Sequence, residues 1–329
     1  MINKRLFEHY RIDTSKDLGI QKRCARPFDT VLIDKQGSCY ACECQSWLPQ
    51  SIGNLQLKPL RDIIGSTTHQ HLRDSITDGT YRYCNEHQCA HIRSGLISET
   101  TETRVRKLRL AIDDSCNLRC PSCRKDLVFH KEGRRFDLGI RLADRVNDWL
   151  REQEQSIKVH MGSDGDPFAS HVYRHFMEHT PRRSHIKYSI LTNGIMFENF
   201  YQTVPHVIDN LHELGVSIDG ATKETYEKLR VGGHWDKILS NLDCMRTLRQ
   251  SKQFTWTWHM VVQHDNWREM ADLLALAHEH GVDRVYFNLI QDWNTGLPFK
   301  GLGFCEEKDY KDMLVRLQQD PVARIYSLL

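Results

Sequence analysis

From about Val105 onward the chain alternates short apolar runs of strand length with amphipathic helical stretches, and this alternation constrains the fold more than any other feature. The apolar runs are 108–112 (LRLAI), 157–161 (IKVHM), 186–191 (IKYSIL), 214–218 (LGVSI), 254–262 (FTWTWHMVV) and 284–290 (RVYFNLI). Helical patterns at 138–153, 222–230, 234–249 and 267–280 lie between them. The last sets Met270, Leu273, Leu274 and Ala277 on one face. Each connection is long enough for a crossover helix, so the strands are expected to run parallel. Six such units, with no Gly-rich nucleotide fingerprint after the first strand, predict an α/β fold. A partial (β/α)6 TIM-type barrel is expected, with its chemistry gathered where strands end and loops begin.

Residues 1–100 follow another grammar, with outer cysteines, turn residues and one helical stretch. A small Cys-rich domain is expected at 1–100 and the barrel at 101–329. The boundary falls in the polar stretch 97–106 (ISETTETRVR). With 45 Lys+Arg against 43 Asp+Glu, the net charge of +2 offers no whole-protein field for nucleic acid or an anionic membrane. The opening MINKRLFEHYRIDTSK is too polar for a secretory signal, and no apolar run approaches a membrane span. A cytoplasmic location is the expectation.

Nine of the 11 cysteines lie in the first 123 residues, where an even scatter would put about four. In a reducing compartment such clustering points to metal or redox chemistry before disulfides. Directly after the first barrel strand comes Asp113-Asp114-Ser115-Cys116-Asn117-Leu118-Arg119-Cys120-Pro121-Ser122-Cys123, a C-x3-C-x2-C spacing. Three thiolates this close on one loop can hold three irons of a cubane cluster and leave the fourth open to a small chelating molecule. The competing reading is a zinc knuckle completed by His130.

At these residues the chain resembles the radical S-adenosylmethionine (radical SAM) superfamily, across roughly residues 105–295. Gly162-Ser163-Asp164-Gly165-Asp166-Pro167, after the second strand, is similar to the family's Gly-Gly-Glu-Pro segment, with Asp166 where Glu is usual. Thr192-Asn193-Gly194 follows the third strand, and Val216-Ser217-Ile218-Asp219-Gly220 ends the fourth, before Thr225–Arg230. The resemblance implies that Gly165 and Asp166 meet the methionine ammonium of SAM, Asn193 lies near its ribose, and Ser217 and Arg230 contact its carboxylate. It also implies a [4Fe-4S] cluster with an open iron on Cys116, Cys120 and Cys123. One-electron reduction of that cluster cleaves SAM to a 5′-deoxyadenosyl radical, which abstracts hydrogen from a substrate. A flavodoxin- or ferredoxin-type electron donor is implied as a partner.

The amino-terminal pattern Cys24-x12-Gly37-x4-Cys42, with the later pair Cys84 and Cys89, resembles the SPASM or shorter twitch extension of these enzymes. Here it precedes the barrel, where relatives carry it after. The resemblance implies an auxiliary [4Fe-4S] cluster on Cys24, Cys42, Cys84 and Cys89. Cys44 can replace Cys42, since alternation along a hairpin would point both to one face. A structural zinc on the same thiolates is the alternative, and Cys39 reads as a free thiol. His171, His175 and His179 read as one solvated face. His259, opposite Trp258 in the alternation, reads as a packed ring. Cys305 sits in a loop beyond the sixth strand, where a thiol could face the barrel mouth.

The leading expectation is a radical SAM oxidoreductase acting on a peptide or protein side chain. The first alternative is an epimerase, dehydrogenase or deoxygenase of a sugar or aminoglycoside. The second is a non-catalytic zinc-binding interaction module.

Overall fold

The computed structural model describes residues 15–291 and 300–326. Most of the opening segment read for a signal lies outside them. The chain divides into two compact units. The first takes residues up to 114 with 130–165 and 171–187; the second takes 115–129, 166–170 and 188 onward.

The first unit holds β1 (Thr30–Asp34), β2 (Ser38–Tyr40), β3 (Ser51–Asn54), β4 (Lys107–Ala111) and β5 (Ile157–Met161). β1, β2 and β3 form an antiparallel meander. Asp34 shapes its first turn: Oδ1 accepts from the N–H of Gln36 at 2.9 Å and of Ser38 at 2.8 Å. Gly37 sits there at φ +79°, a conformation that favours glycine. The other edge of β1 runs parallel to β4, pairing Val31 with Leu108 and Ile33 with Leu110, and β4 in turn runs parallel to β5. The Cys-rich segment thus adds a strand to the parallel sheet. Its apolar alternation, Val31-Leu32-Ile33, marks a strand, but pattern alone does not name the partner. The helices Gly133–Arg151 and His171–His179 pack tightly together. A Cβ on Gly139 would lie 2.7 Å from Val172 Cγ2. Tyr173 ties the second helix to β4 by donating its hydroxyl to Leu110 O at 2.7 Å.

The second unit holds β6 (Ile186–Thr192, from Tyr188 on), β7 (Leu211–Ser217), β8 (Thr255–Val262), β9 (Arg284–Leu289) and β10 (Ala323–Tyr326). β6 through β10 pair in that order, all parallel. β10 is an addition to the strands expected from the sequence; four residues are too few to show a period. Every strand expected from the sequence in either unit is present, displaced by at most three residues at its ends.

β8 shows how each face is used. Trp256, Trp258, Met260 and Val262 are fully buried on one face, where His280, at the end of helix Met270–His280, packs against both indoles. The other face carries Thr257 and His259, with Ser217 of β7 and Tyr286 of β9 in register beside His259. The His259 ring stacks on Tyr286 at 4.8 Å and bonds Thr257 Oγ1 at 3.0 Å. Burial, reinforced by the charge of Arg230, lowers the His259 pKa from 6.5 to about 4.

Two outcomes follow from this packing. Gly139→Ala, which helix propensity alone would favour by about 1 kcal/mol, instead lowers stability by about 1–2 kcal/mol, and its sign reverses in a Val172→Ala background. Urea denaturation of the four proteins of that cycle checks it. Because His259 is neutral in the fold and its pKa is depressed, its contribution is intact above pH 6.5 and is lost as pH falls toward 4. The loss is roughly 2 kcal/mol, allowing for partial exposure of the ring. His259→Gln should remove that part of the pH slope in denaturation midpoints.

Candidate active site

Leaving β4, the chain passes Ile112, Asp113 and Asp114 and enters the loop that carries three cysteines. The loop is pinned at both ends and in the middle. Cys116 N donates to Val128 O at 2.9 Å, Arg119 N to Val231 O at 2.9 Å, and the N–H groups of Cys123 and Arg124 both reach Cys120 O. Gly232, beside the loop, stands at φ +95°, a conformation that favours glycine. Cys116 is half-buried, Cys120 buried and Cys123 exposed. Two of the sulfurs receive hydrogen bonds. Leu118 N and Asn193 Nδ2 donate to Cys116 Sγ at 3.4 and 3.5 Å, and Arg230 Nη1 donates to Cys120 Sγ at 3.8 Å. Burial pushes the Cys116 thiol up to about 12 and raises Cys120 as well, so deprotonation at neutral pH needs a bound metal.

Asp166 does not have the geometry expected of an ammonium acceptor. Its Oδ1 accepts from the N–H groups of Phe168 and Ala169 at 3.1 and 3.0 Å. Its Oδ2 accepts from Thr192 Oγ1 and Asn193 N, both at 2.7 Å. A carboxylate has about four lone-pair sites, and protein donors take them all. Burial raises its pKa, partly offset by these same donors. The short Asp arm explains the difference: it keeps the carboxylate inside its own turn, beside the N–H groups two and three residues on. Asp166 N also donates to Ser115 O at 2.8 Å, one residue before Cys116. The preceding Gly165 stands at φ +69°.

Asn193 joins the loop to the end of β6. Its Nδ2 donates to Asn117 Oδ1 at 2.8 Å as well as to Cys116 Sγ, while its Oδ1 accepts from Ile195 N. Gly194 must be glycine: φ is +79° and a Cβ would meet Ile238 Cδ1 at 2.5 Å. Ser217 closes β7, in register with His259. Arg230 is 9% exposed and faces Asp219 Oδ2 through Nε at 2.8 Å. Burial opposes its charge, but Asp219 outweighs this and raises its pKa.

Sequence reasoning passed over Asp219, Asn266 and Glu269. Asp219 Oδ1 accepts from Val261 N at 2.8 Å, and Asn266 Nδ2 donates to Asp219 O at 3.0 Å. Glu269 Oε2 accepts from Ala221 N at 2.7 Å and Thr222 N at 3.1 Å. The one signal was Asp219-Gly220 at a strand end, a position where a polar residue serves the site more often than the core.

Four other thiols converge in the first unit. Cys24, Cys42, Cys84 and Cys89 line one cavity with Trp47 and Tyr81. Tyr81 holds the rare φ of +50°, and its hydroxyl accepts from Cys24 N at 3.0 Å and donates to Lys22 O. Cys44 is not among the lining residues; its Sγ bonds Ser46 Oγ at 2.9 Å. β2 ends at Tyr40, so the strand alternation that would have placed Cys42 and Cys44 on one face does not reach them. Cys39 is fully buried, its thiol pushed up to about 12 by burial.

A single tetrahedral zinc would draw its sulfurs to about 3.8 Å from one another, given Zn–S bonds near 2.3 Å. Among the described residues, the set of three ligating side chains whose atoms all lie within 4.8 Å of one another is Asp113, Asp114 and His130; neither cysteine group meets that limit. His130 Nε2 is directed to Asp114 Oδ1 at 3.0 Å. Lys35 pairs with the same carboxylate and Arg135 approaches it at 3.8 Å. Burial alone would raise Asp114, but these partners hold it down at about 2. The group is an ion-pair hub. His175 pairs with Asp144 and stacks on His179, and Cys305 lies half-buried in the turn Gly303–Glu306.

Asp166→Asn tests the tie at the centre of the site. It turns one acceptor into a donor against N–H groups already in place. Stability should fall by about 2–4 kcal/mol in chemical denaturation, whereas a solvated turn carboxylate would lose almost nothing.

A family model, the Radical SAM superfamily, matches residues 112–277, half of the chain. A Methanococcus maripaludis protein named "Probable GTP 3′,8-cyclase" is 28% identical over 141 residues, 42% of this chain and 45% of that protein. A Synechocystis protein named "GTP 3′,8-cyclase" is 24% identical over 176 residues, 53% of this chain and 51% of that protein. The chain therefore spans about half the length of these curated relatives. Among solved structures, Streptococcus suis SuiB bound to precursor peptide SuiA superposes with a TM-score of 0.50 at 12% identity. That match covers 79% of this chain and 54% of that one, a likeness of fold. With the three-cysteine loop, the parallel strands and a family match over half its length, the chain belongs to the radical SAM superfamily.

Proposed function

We propose that this protein is a radical SAM enzyme, with Cys116, Cys120 and Cys123 as ligands of a [4Fe-4S] cluster that leaves one iron for SAM. The observation that carries the reading is the loop itself: three cysteines on one segment pinned by backbone hydrogen bonds, two of their sulfurs already supplied with N–H donors. Such donors suit thiolates, since second-shell hydrogen bonds fix and tune metal-bound sulfur. When bound, the cluster and SAM supply one-electron reductive cleavage and a 5′-deoxyadenosyl radical that abstracts hydrogen from substrate.

The chain's own residues hold and orient. Asp166 fixes the loop after β5 and the end of β6, so the ammonium falls to the backbone around Gly165. Asn193 bridges that frame to Cys116 and lies toward the ribose. Ser217 and the remaining Nη2 of Arg230 serve the carboxylate. No helix among the described residues is long and apolar enough to cross a membrane. A flavodoxin- or ferredoxin-type protein is the reductant this chemistry requires.

In this reading residues 1–100 form a SPASM/twitch-like domain and 101–329 the partial (β/α)6 barrel. Cys24, Cys42, Cys84 and Cys89, which line one cavity, hold an auxiliary [4Fe-4S] cluster in this reading. The substrate is a small polar molecule. The curated relatives are named for a reaction of GTP, a small polar molecule. A peptide or protein substrate, the first expectation, rests on the amino-terminal cysteine pattern alone.

Anaerobic reconstitution should yield about two cubane clusters per chain. Cys116/Cys120/Cys123→Ala should retain about one and lose reductive release of 5′-deoxyadenosine. Equimolar zinc without sulfide, or a triple variant that still cleaves SAM, would contradict the assignment. Stimulation of that release by GTP or a sugar nucleotide, against none by short peptides, would decide the substrate class.

A further inference from the structure

The guanidinium of Arg230 has more partners than SAM binding alone demands. Its Nε faces Asp219 Oδ2 at 2.8 Å and its Nη1 donates to Cys120 Sγ at 3.8 Å. Asp219 is 1% exposed and is itself held from two sides, by Val261 N on its carboxylate and by Asn266 Nδ2 on its carbonyl. Asn266 Nδ2 also donates to Val261 O at 2.9 Å, locking the ends of β7 and β8 together. The Arg230 backbone is fixed at both ends, its N–H on Tyr226 O at 2.8 Å and its carbonyl under Gly233 N at 2.7 Å. The buried ion pair thus keeps the guanidinium beside the sulfur.

We propose that the Asp219–Arg230 pair sets the reduction potential of the cluster that Cys120 helps to hold, Arg230 acting as a positioning residue on that thiolate. This rests on reading Cys116, Cys120 and Cys123 as cluster ligands. An N–H donated to a thiolate withdraws electron density, and a fixed positive charge favours the added electron, so Arg230 raises the potential. Asp219 opposes it by neutralising the guanidinium. The two partners therefore act with opposite sign on the electron, although removing either loosens the same packing. A role confined to packing would move both variants the same way. A role confined to the SAM carboxylate would move neither while SAM is absent.

The experiment is a mediated potentiometric titration of the reconstituted full-length chain without SAM. It is followed by electron paramagnetic resonance on the signal that SAM perturbs when added afterwards. At a fixed poise, Arg230→Gln should lower the ratio of reduced to oxidised cluster about tenfold, which is about 59 mV for one electron. Asp219→Asn should raise the ratio, and Arg230→Lys, which keeps the charge but not the planar fork, should fall between Arg230→Gln and the unaltered protein. Should Arg230→Gln fail to load iron, the Asp219→Asn rise and the partial fall in Arg230→Lys still decide. Shifts of one sign in both positions, or unshifted potentials at full iron and sulfide, overturn the proposal alone. A chain that binds no cluster at these cysteines overturns it together with the functional reading, and iron counting tells the two failures apart.

Discussion

The site depends on one buried carboxylate. Asp166 gathers four N–H and O–H donors from its own turn and from the end of β6, and its backbone holds Ser115, next to the first cysteine of the loop. A carboxylate 2% exposed, with no salt bridge to it among the described residues, persists only when oriented donors replace its water. Here the same donors that stabilise the charge also fix the geometry. Asn193 is held by its N–H on Asp166, and its side chain is therefore presented to Cys116 Sγ and Asn117. A glutamate, one methylene longer, would carry the carboxylate past the N–H groups of Phe168 and Ala169 and out of this tie. In this chain the residue at that position braces the two loops through protein donors.

What was legible in the sequence is what periodicity and spacing encode. The six apolar runs are strands because alternation in Thr255–Val262 and apolar continuity in Ile157–Met161 survive any tertiary context that buries one face. The edges were less legible. β1 pairs with β4 across more than 70 residues of chain, and nothing local in Val31-Leu32-Ile33 distinguishes a hairpin strand from one that also extends a parallel sheet. β10 is too short for a pattern. The C-x3-C-x2-C loop was legible because its three cysteines lie close together in sequence. Asp219, Asn266 and Glu269 were not, since each acts on backbone groups more than 40 residues away.

The amino-terminal cysteines show the same limit on a finer scale. Spacing alone left Cys42 and Cys44 interchangeable, because both offer a thiol two residues apart. The fold separates them by ending β2 at Tyr40, after which Cys42 lines the cavity of Cys24, Cys84 and Cys89 while Cys44 turns to Ser46. Burial raises Cys24, Cys42 and Cys84 together, so without metal these are neutral thiols gathered in an apolar pocket. A bound metal group would replace that costly arrangement of weak donors by coordinate bonds, coupling occupancy of the pocket to the stability of the chain around it.

The pair Asp219–Arg230 belongs to a different kind of economy. A buried ion pair is weak evidence for stability, because desolvation of two charges often equals their attraction and an apolar pair of similar volume would hold the fold as well. What the pair does show is where it directs its charge: Arg230 Nη1 donates to Cys120 Sγ. The loop's sulfurs are graded: Cys116 receives neutral N–H groups, Cys120 a guanidinium, and Cys123 is open to water. In a site of low dielectric the charged donor has the greatest effect and the solvated position the least. Under the proposed ligation, the guanidinium would bias electron density at one corner of the cluster and the open position would leave another responsive to solvent, with the strand ends that fix Asp219 holding the charged donor in place.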